Sequence, residues 1–212
     1  LLSAKRFAFA ALLFAFVCES AYAADIQTVL TNMSNIIMPL TAMVLMISYA
    51  AGVYMIIHAL TMFKKFGNVS MQAQPGELSG PLMQLIVGAV LIYLPTSTDT
   101  LTNSLFGTTA SIFGYGTDIN FANAGTGSQI LGYLPTNSFG QQWAAMANTL
   151  VLYIQFLGLL SFVKGWFILS KSAGHGAQPG MFAKGVTHVL GGIVAINFVG
   201  VVQIISNTIF GT

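Results

Sequence analysis

Long charge-free runs, interrupted by two short polar turns, set the pattern of this chain. Residues 26–63 carry no Asp, Glu, Lys or Arg, and neither do residues 185–212. About twenty apolar residues cross the hydrocarbon of a bilayer at 1.5 Å each. The first run is therefore too long for one perpendicular span, and Pro39 is expected to divide it. Residues 26–38, with Gln27, Thr28, Thr31, Asn32, Ser34 and Asn35 among apolar neighbours, suit an interfacial or periplasmic helical turn. Residues 40–62 then make the first span, ending at Lys64-Lys65. A second begins over 82–94 with Pro95 in its far end. A third opens at Trp143 and runs to about residue 169, and a fourth covers roughly 182–210. Trp143 and Trp166 fall near opposite ends of the third, where interfacial aromatics belong, and Lys164 in its last turns reaches the interface by snorkelling.

The polar turns repeat. Ala73-Gln74-Pro75-Gly76 returns as Ala177-Gln178-Pro179-Gly180. Proline fixes φ and glycine admits φ > 0, a combination suited to a tight reversal. With few charges nearby, these loops would dock a partner through shape and backbone groups, as a role second to turning the chain.

Ahead of the spans, Lys5-Arg6, the apolar run 7–17 and Ala21-Tyr22-Ala23 have the three parts of a secretory signal peptide. Residues 1–23 are read as a signal peptide or an uncleaved signal anchor. Residues 24–106 form a first transmembrane hairpin and 141–212 a second. Between them, 107–140 is a connector rich in Gly, Ser and Thr with no sustained helical period. The expected fold is an all-α integral membrane protein: two tandem transmembrane helical hairpins, four mature spans, after the N-terminal segment.

Composition supports a membrane class over the alternatives. Charged residues make up 6% of the chain, against about a quarter in soluble domains, too few to coat a water-soluble globule. The same composition excludes a disordered chain, which needs charge and few aromatics. Cys18 is the single cysteine, so neither a disulfide framework nor a cysteine metal site forms within one chain.

The distribution of the few charges is more informative than their number. Lys5, Arg6, Lys64, Lys65, Lys164, Lys171 and Lys184 all fall on one side of the scheme, and Asp25, Asp99 and Asp118 on the other. The positive-inside rule then puts both Ala-Gln-Pro-Gly loops in the cytoplasm. The connector and C-terminus face the periplasm. Because every basic residue sits at a membrane edge, no direct nucleic-acid binding is expected.

The halves are also related in register. Thr102-Asn103-Ser104-Leu105-Phe106-Gly107-Thr108 matches Ser206-Asn207-Thr208-Ile209-Phe210-Gly211-Thr212 in the alignment that superposes the two polar turns. The same register sets Gly88 on Gly192. Gly52 meets Gly158, and Lys65 meets Lys171, once the first loop is allowed two extra residues. Both hairpins start and finish on the same side, which describes a parallel duplication. Small residues at Gly88-Ala89 and Gly191-Gly192 let helices approach closely. The alignment singles out Gly88 and Gly192 as the packing positions.

Catalysis needs positioned acids, bases, nucleophiles or metals. Glu77, three aspartates and His58, His175 and His188 supply no recognised catalytic, phosphate-binding or metal-binding spacing, so no enzyme activity and no cofactor are expected. The methionines and phenylalanines read as packing or lipid-facing residues. Lys184 and His188 lie four apart, on one helix face, and mark a candidate contact for an anionic lipid headgroup.

The signal-like start, the two hairpins with basic cytoplasmic turns, and the Ala-Gln-Pro-Gly and Phe-Gly-Thr repeats together resemble the IcmC/DotE-type proteins over roughly 26–106 and 141–212. These are small inner-membrane components of the Dot/Icm type IVB secretion system and related conjugation machines. The resemblance implies a structural part in exporting protein or DNA. The implied partners are membrane lipid and other secretion-system membrane subunits, in a homo- or hetero-oligomer. Each hairpin is also similar in layout to a VirB-type conjugative pilin, which implies a subunit that polymerises into a tube. A small channel or transporter using His58, Lys164 and His188 is the third reading.

Overall fold

The computed structural model describes residues 26–68, 78–107, 141–173 and 178–210. Over these residues the protein is all-helical, without strands: α1 (Ile26–Asn68), α2 (Ser79–Ile92), α3 (Leu94–Phe106), α4 (Gln141–Ser170), α5 (Met181–Ile196) and α6 (Phe198–Phe210). Residues 1–23, almost all of the connector, the first Ala-Gln-Pro-Gly loop, Ala177 and His175 lie outside the described residues.

Two of these helices, α1 and α4, are long and apolar enough to cross a membrane, and the bent pairs α2–α3 and α5–α6 raise the number of candidates to as many as four. At 1.5 Å per residue α1 is about 65 Å long and α4 about 45 Å.

Pro39 does not divide α1, contrary to the sequence expectation. The helix passes through it without interruption. Proline leaves the carbonyl of residue 35 without its helical donor, but Asn35 and Pro39 both face outward. Contacts on the other face hold the helix together across the site. The Ser34 hydroxyl lies 3.1 Å from that of Thr149 on α4, and Ile37 is buried in the core. The residues expected to form a separate turn, 26–38, are the first turns of a single rod.

Hydroxyl groups on the packed faces are accommodated by the helices themselves. Thr41 donates to the carbonyl of Ile37 at 2.7 Å, Ser48 to that of Val44 at 2.8 Å and Thr98 to that of Leu94 at 2.8 Å. Such back-bonding removes the cost of burying a free hydroxyl.

The expected continuous segment 182–210 is broken at Asn197, and the segment after 82 is broken at Tyr93. The bends are 77° and 92°. Tyr93 and Asn197 are equivalent in the register that superposes the two polar turns, and their backbones agree: φ −97°, ψ 37° and φ −94°, ψ 33°. Each keeps its own hydrogen bonds. Their amides donate to Ala89 and Ile193, and their carbonyls accept from the amides of Ser97 and Val201. Pro95 starts the new helix in the first half, where its missing N–H costs nothing. Val199 stands at that position in the second half.

α1 packs chiefly on α2 and α4 chiefly on α5, while α4 also touches α1 and α2. The core follows from this. Ile37 of α1, Val87 and Leu91 of α2 and Leu94 of α3 meet Leu159, Phe162, Val163 and Leu169 of α4, which in turn meet Val189, Ile193 and Ile196 of α5. Helix α4 is the shared wall between the two pairs.

Candidate functional site

Among the described residues, glycines stand where paired helices cross with no room for a side chain. A methyl group added at Gly88 would lie 2.9 Å from the Gly52 carbonyl oxygen, and one added at Gly52 would lie 2.8 Å from that of Gly88. In the second pair, a methyl group at Gly192 would lie 2.6 Å from the Phe162 amide nitrogen and 2.7 Å from the Gly158 carbonyl oxygen. No real side chain tolerates such separations, so each crossing requires a residue with no Cβ. Gly191, beside Gly192 in sequence, would meet nothing within 4 Å. Position on the helix face separates the two residues, and composition does not.

The second pair has a further crossing. A methyl group at Gly165 would stand 2.7 Å from the Val189 amide nitrogen and 2.9 Å from the Gly185 carbonyl oxygen. Gly158 and Gly165 are seven apart, as are Gly185 and Gly192, so two helical turns are clamped at both ends. The matching positions in the first pair are Ala59 and Pro81, both buried. Sequence reasoning missed Gly165 and Gly185, although the seven-residue spacing on both helices was a usable signal.

Polar side chains occupy one flank of each pair. In the first, His58 Nδ1 donates to Gln84 Oε1 at 2.9 Å, with Tyr54 stacked on the imidazole at 5.9 Å between ring centroids. In the second, His188 Nδ1 donates to the Lys184 carbonyl oxygen at 2.9 Å, and Ser161 of α4 donates to the His188 carbonyl at 3.1 Å. Lys164 and Lys184 are exposed. The bent ends make a further link between halves: Asn197 Nδ2 donates to Thr102 Oγ1 at 3.0 Å, with both residues buried.

Of the two polar turns, only Gln178, Pro179 and Gly180 are described. The Met181 amide donates to the Gln178 carbonyl at 3.2 Å, with Gly180 at φ 83°, ψ −6°. Proline followed by a left-handed glycine inside a four-residue hydrogen-bonded ring is a type II turn. It delivers the chain directly into α5.

Among the described residues no three His, Cys, Asp or Glu side chains lie close enough to hold a metal ion. Asp99 is the one acidic side chain described, on α3 past the Tyr93 break. The arrangement is one of interlocked helices with a polar flank on each pair. Comparison with known proteins adds nothing to this geometry, for no family model, curated protein or solved structure matches the chain.

Proposed function

We propose that this chain is a structural inner-membrane subunit of a type IVB secretion or conjugation apparatus, acting by helix packing inside a multiprotein complex. The observation that carries the reading is the outer face of α1. Met38, Met43, Met46, Ile47, Tyr54 and Ile57 are each more than half exposed. Only 17% of the most apolar stretch of α1 is buried against the rest of the chain, against 39% for α4. An apolar face of that length needs lipid or neighbouring helices to cover it. The glycine crossings give the chain the rigidity of a scaffold element.

In this reading the chain crosses the bilayer four times, as two hairpins descended from one duplicated unit, with both polar turns in the cytoplasm. Helices α2 and α5, about 21 and 24 Å long, rise through most of the roughly 30 Å hydrocarbon. Helices α3 and α6 then turn along its periplasmic face. The last twenty or so residues of α1 before Lys64 fill the hydrocarbon. Its N-terminal part extends beyond that stretch, with Ser34 against Thr149 of α4.

Deletion of the gene is expected to abolish export of substrates, and re-expression to restore it. Purification in mild detergent is expected to bring other inner-membrane subunits with the chain. Export that continues in the deletion strain would sink the proposal. Recovery in sheared extracellular fractions would support a polymerising pilin in its place.

A further inference from the structure

We propose that the second hairpin holds an anionic phospholipid, its headgroup on Lys164, Lys184 and His188 and one acyl chain along the flank beneath them. The inference rests on the membrane placement proposed above and on no part of the secretion assignment.

The first hairpin shows which side chains meet on this flank. His58 comes six residues after Gly52 and Gln84 four before Gly88; Lys164 comes six after Gly158 and His188 four before Gly192. His58 and Gln84 touch at 2.9 Å, so the equivalent Lys164 and His188 face one another across the same edge of the second pair. There the hydrogen-bonded His–Gln couple is replaced by a lysine and a histidine. Lys184 adds a second ammonium one turn from His188, on the same face; its counterpart in the first half is Gly80.

The imidazole is fixed in place. Its Nδ1 donates to the Lys184 carbonyl, and the His188 carbonyl is tied to Ser161 of α4, which leaves Nε2 as the free ring nitrogen. Two ammonium groups and an imidazole edge on one exposed flank fit a phosphodiester. Asp99, the single acid among the described residues, stands past the Tyr93 break and away from this end.

The residues beneath the cations favour a lipid over a free anion. Leu160 and Leu157 lie four and seven residues before Lys164, on the same stripe of α4, and both are exposed. On α5, Gly191 lies three residues after His188, and open space stands where its side chain would be. The result is a shallow apolar track that starts at a cationic head and runs toward the membrane centre. Both lysines stand at the basic end of the molecule, where anionic headgroups attract juxtamembrane basic residues.

The test uses the full chain in neutral detergent, with native mass spectrometry reading retained phosphatidylglycerol against phosphatidylcholine. Wild type is expected to retain phosphatidylglycerol preferentially. Each lysine charge near an anionic lipid contributes about fivefold, so Lys164→Gln with Lys184→Gln should weaken retention roughly 25-fold. Both side chains are exposed, so the double variant keeps the packed interface. Lys64→Gln, at the basic end of the first hairpin, should change retention less than about twofold. Gly191→Leu fills the track without touching a charge and should also lower retention. Equal retention of the two lipids, or an unchanged double variant, overturns the proposal. Displacement by inorganic phosphate does so too, by revealing a free-anion site. Extraction of the chain from membranes by alkaline carbonate would instead overturn the membrane placement, so the two failures are distinguishable.

Discussion

The two hairpins solve one packing problem with different residues. In the first, a single glycine crossing, Gly52 on Gly88, is followed by Ala59 and Pro81. In the second, two glycine crossings seven residues apart hold α4 against α5. The first bends at Tyr93 with Pro95 behind it, and the second bends at Asn197 with no proline at all. The first carries a hydrogen-bonded His–Gln pair on its flank, and the second a Lys–His pair in its place. Backbone shape is kept and side-chain chemistry is exchanged. The lesson is that the positions of close approach and of chain reversal define the unit, and the groups on its flank are free to diverge.

That comparison is most exposed to failure at the glycines. Gly192→Ala forces a methyl group onto backbone atoms of α4 that cannot rotate away, and an overpacked core site costs roughly 1–3 kcal/mol. A loss of about 3 kcal/mol is expected for Gly192→Ala, and about 2 kcal/mol for Gly88→Ala, where the nearest atom belongs to the Ile56 side chain and not to backbone. Gly191→Ala is the control, with an effect within about 1 kcal/mol and of stabilising sign, because alanine is the better helix former. Unfolding titrations in mixed micelles read all three. Equal losses at Gly191 and Gly192 would remove the face argument.

The link between halves comes next. Asn197→Leu removes the donor to Thr102 and leaves a buried hydroxyl with one partner fewer, at an expected cost of about 1–2 kcal/mol. The equivalent residue, Tyr93, is exposed and makes no such link, so Tyr93→Leu is expected to stay within about 0.5 kcal/mol. A matching loss at Tyr93 would show that the bend itself, and not the asparagine, is what stabilises this contact.

The flank of the first hairpin is a smaller term. His58→Phe or Gln84→Leu alone leaves one half-buried polar group without its mate, at about 1 kcal/mol, while the double replacement is expected to recover most of that loss. A double-mutant cycle with no coupling would mean that the 2.9 Å contact contributes nothing.

The smallest energetic effect is expected for Pro95→Ala, because the second half bends through 77° without a proline. Spin labels at Leu82 and Leu105, both exposed, should stay about 25 Å apart. A straightened helix at 1.5 Å per residue would place them about 35 Å apart. The longer distance would make proline the cause of the first bend and leave Asn197 as an unrelated device.

Features that depend on what a backbone can do were the most legible in the chain. Pro179-Gly180 reads as a reversal because the two residues supply the two φ values a type II turn needs, and Gly180 adopts one of them. The register joining the two turns also sets Tyr93 on Asn197 and Gly88 on Gly192, and Gly52 meets Gly158 once the first loop is allowed two extra residues, without any knowledge of contacts. Continuity through Pro39 was not legible. Local propensity argues for a break there, while one opposing term, Ser34 on Thr149, joins residues more than a hundred positions apart, and the other, Ile37, is buried in a core made by several helices. The bend at Asn197 was hidden for a related reason. An asparagine in an apolar run has no local mark of a helix break, and its partner Thr102 belongs to the other half. Lys184 and His188 were legible as a pair from their spacing, but Lys164 joins them only when His58 and Gln84 are seen to touch.

The position of α4 as the shared wall has a consequence for the order of events during synthesis. Ile37, Val87, Leu91 and Leu94 all belong to the first half, and the residues that cover them, Leu159, Phe162 and Val163, emerge later. At the 5–20 residues per second typical of translation, the first hairpin waits a few seconds before α4 arrives. The second hairpin, whose two glycine crossings join segments made one directly after the other, closes as soon as it is complete. The first half therefore keeps those four residues uncovered until the second half has been made.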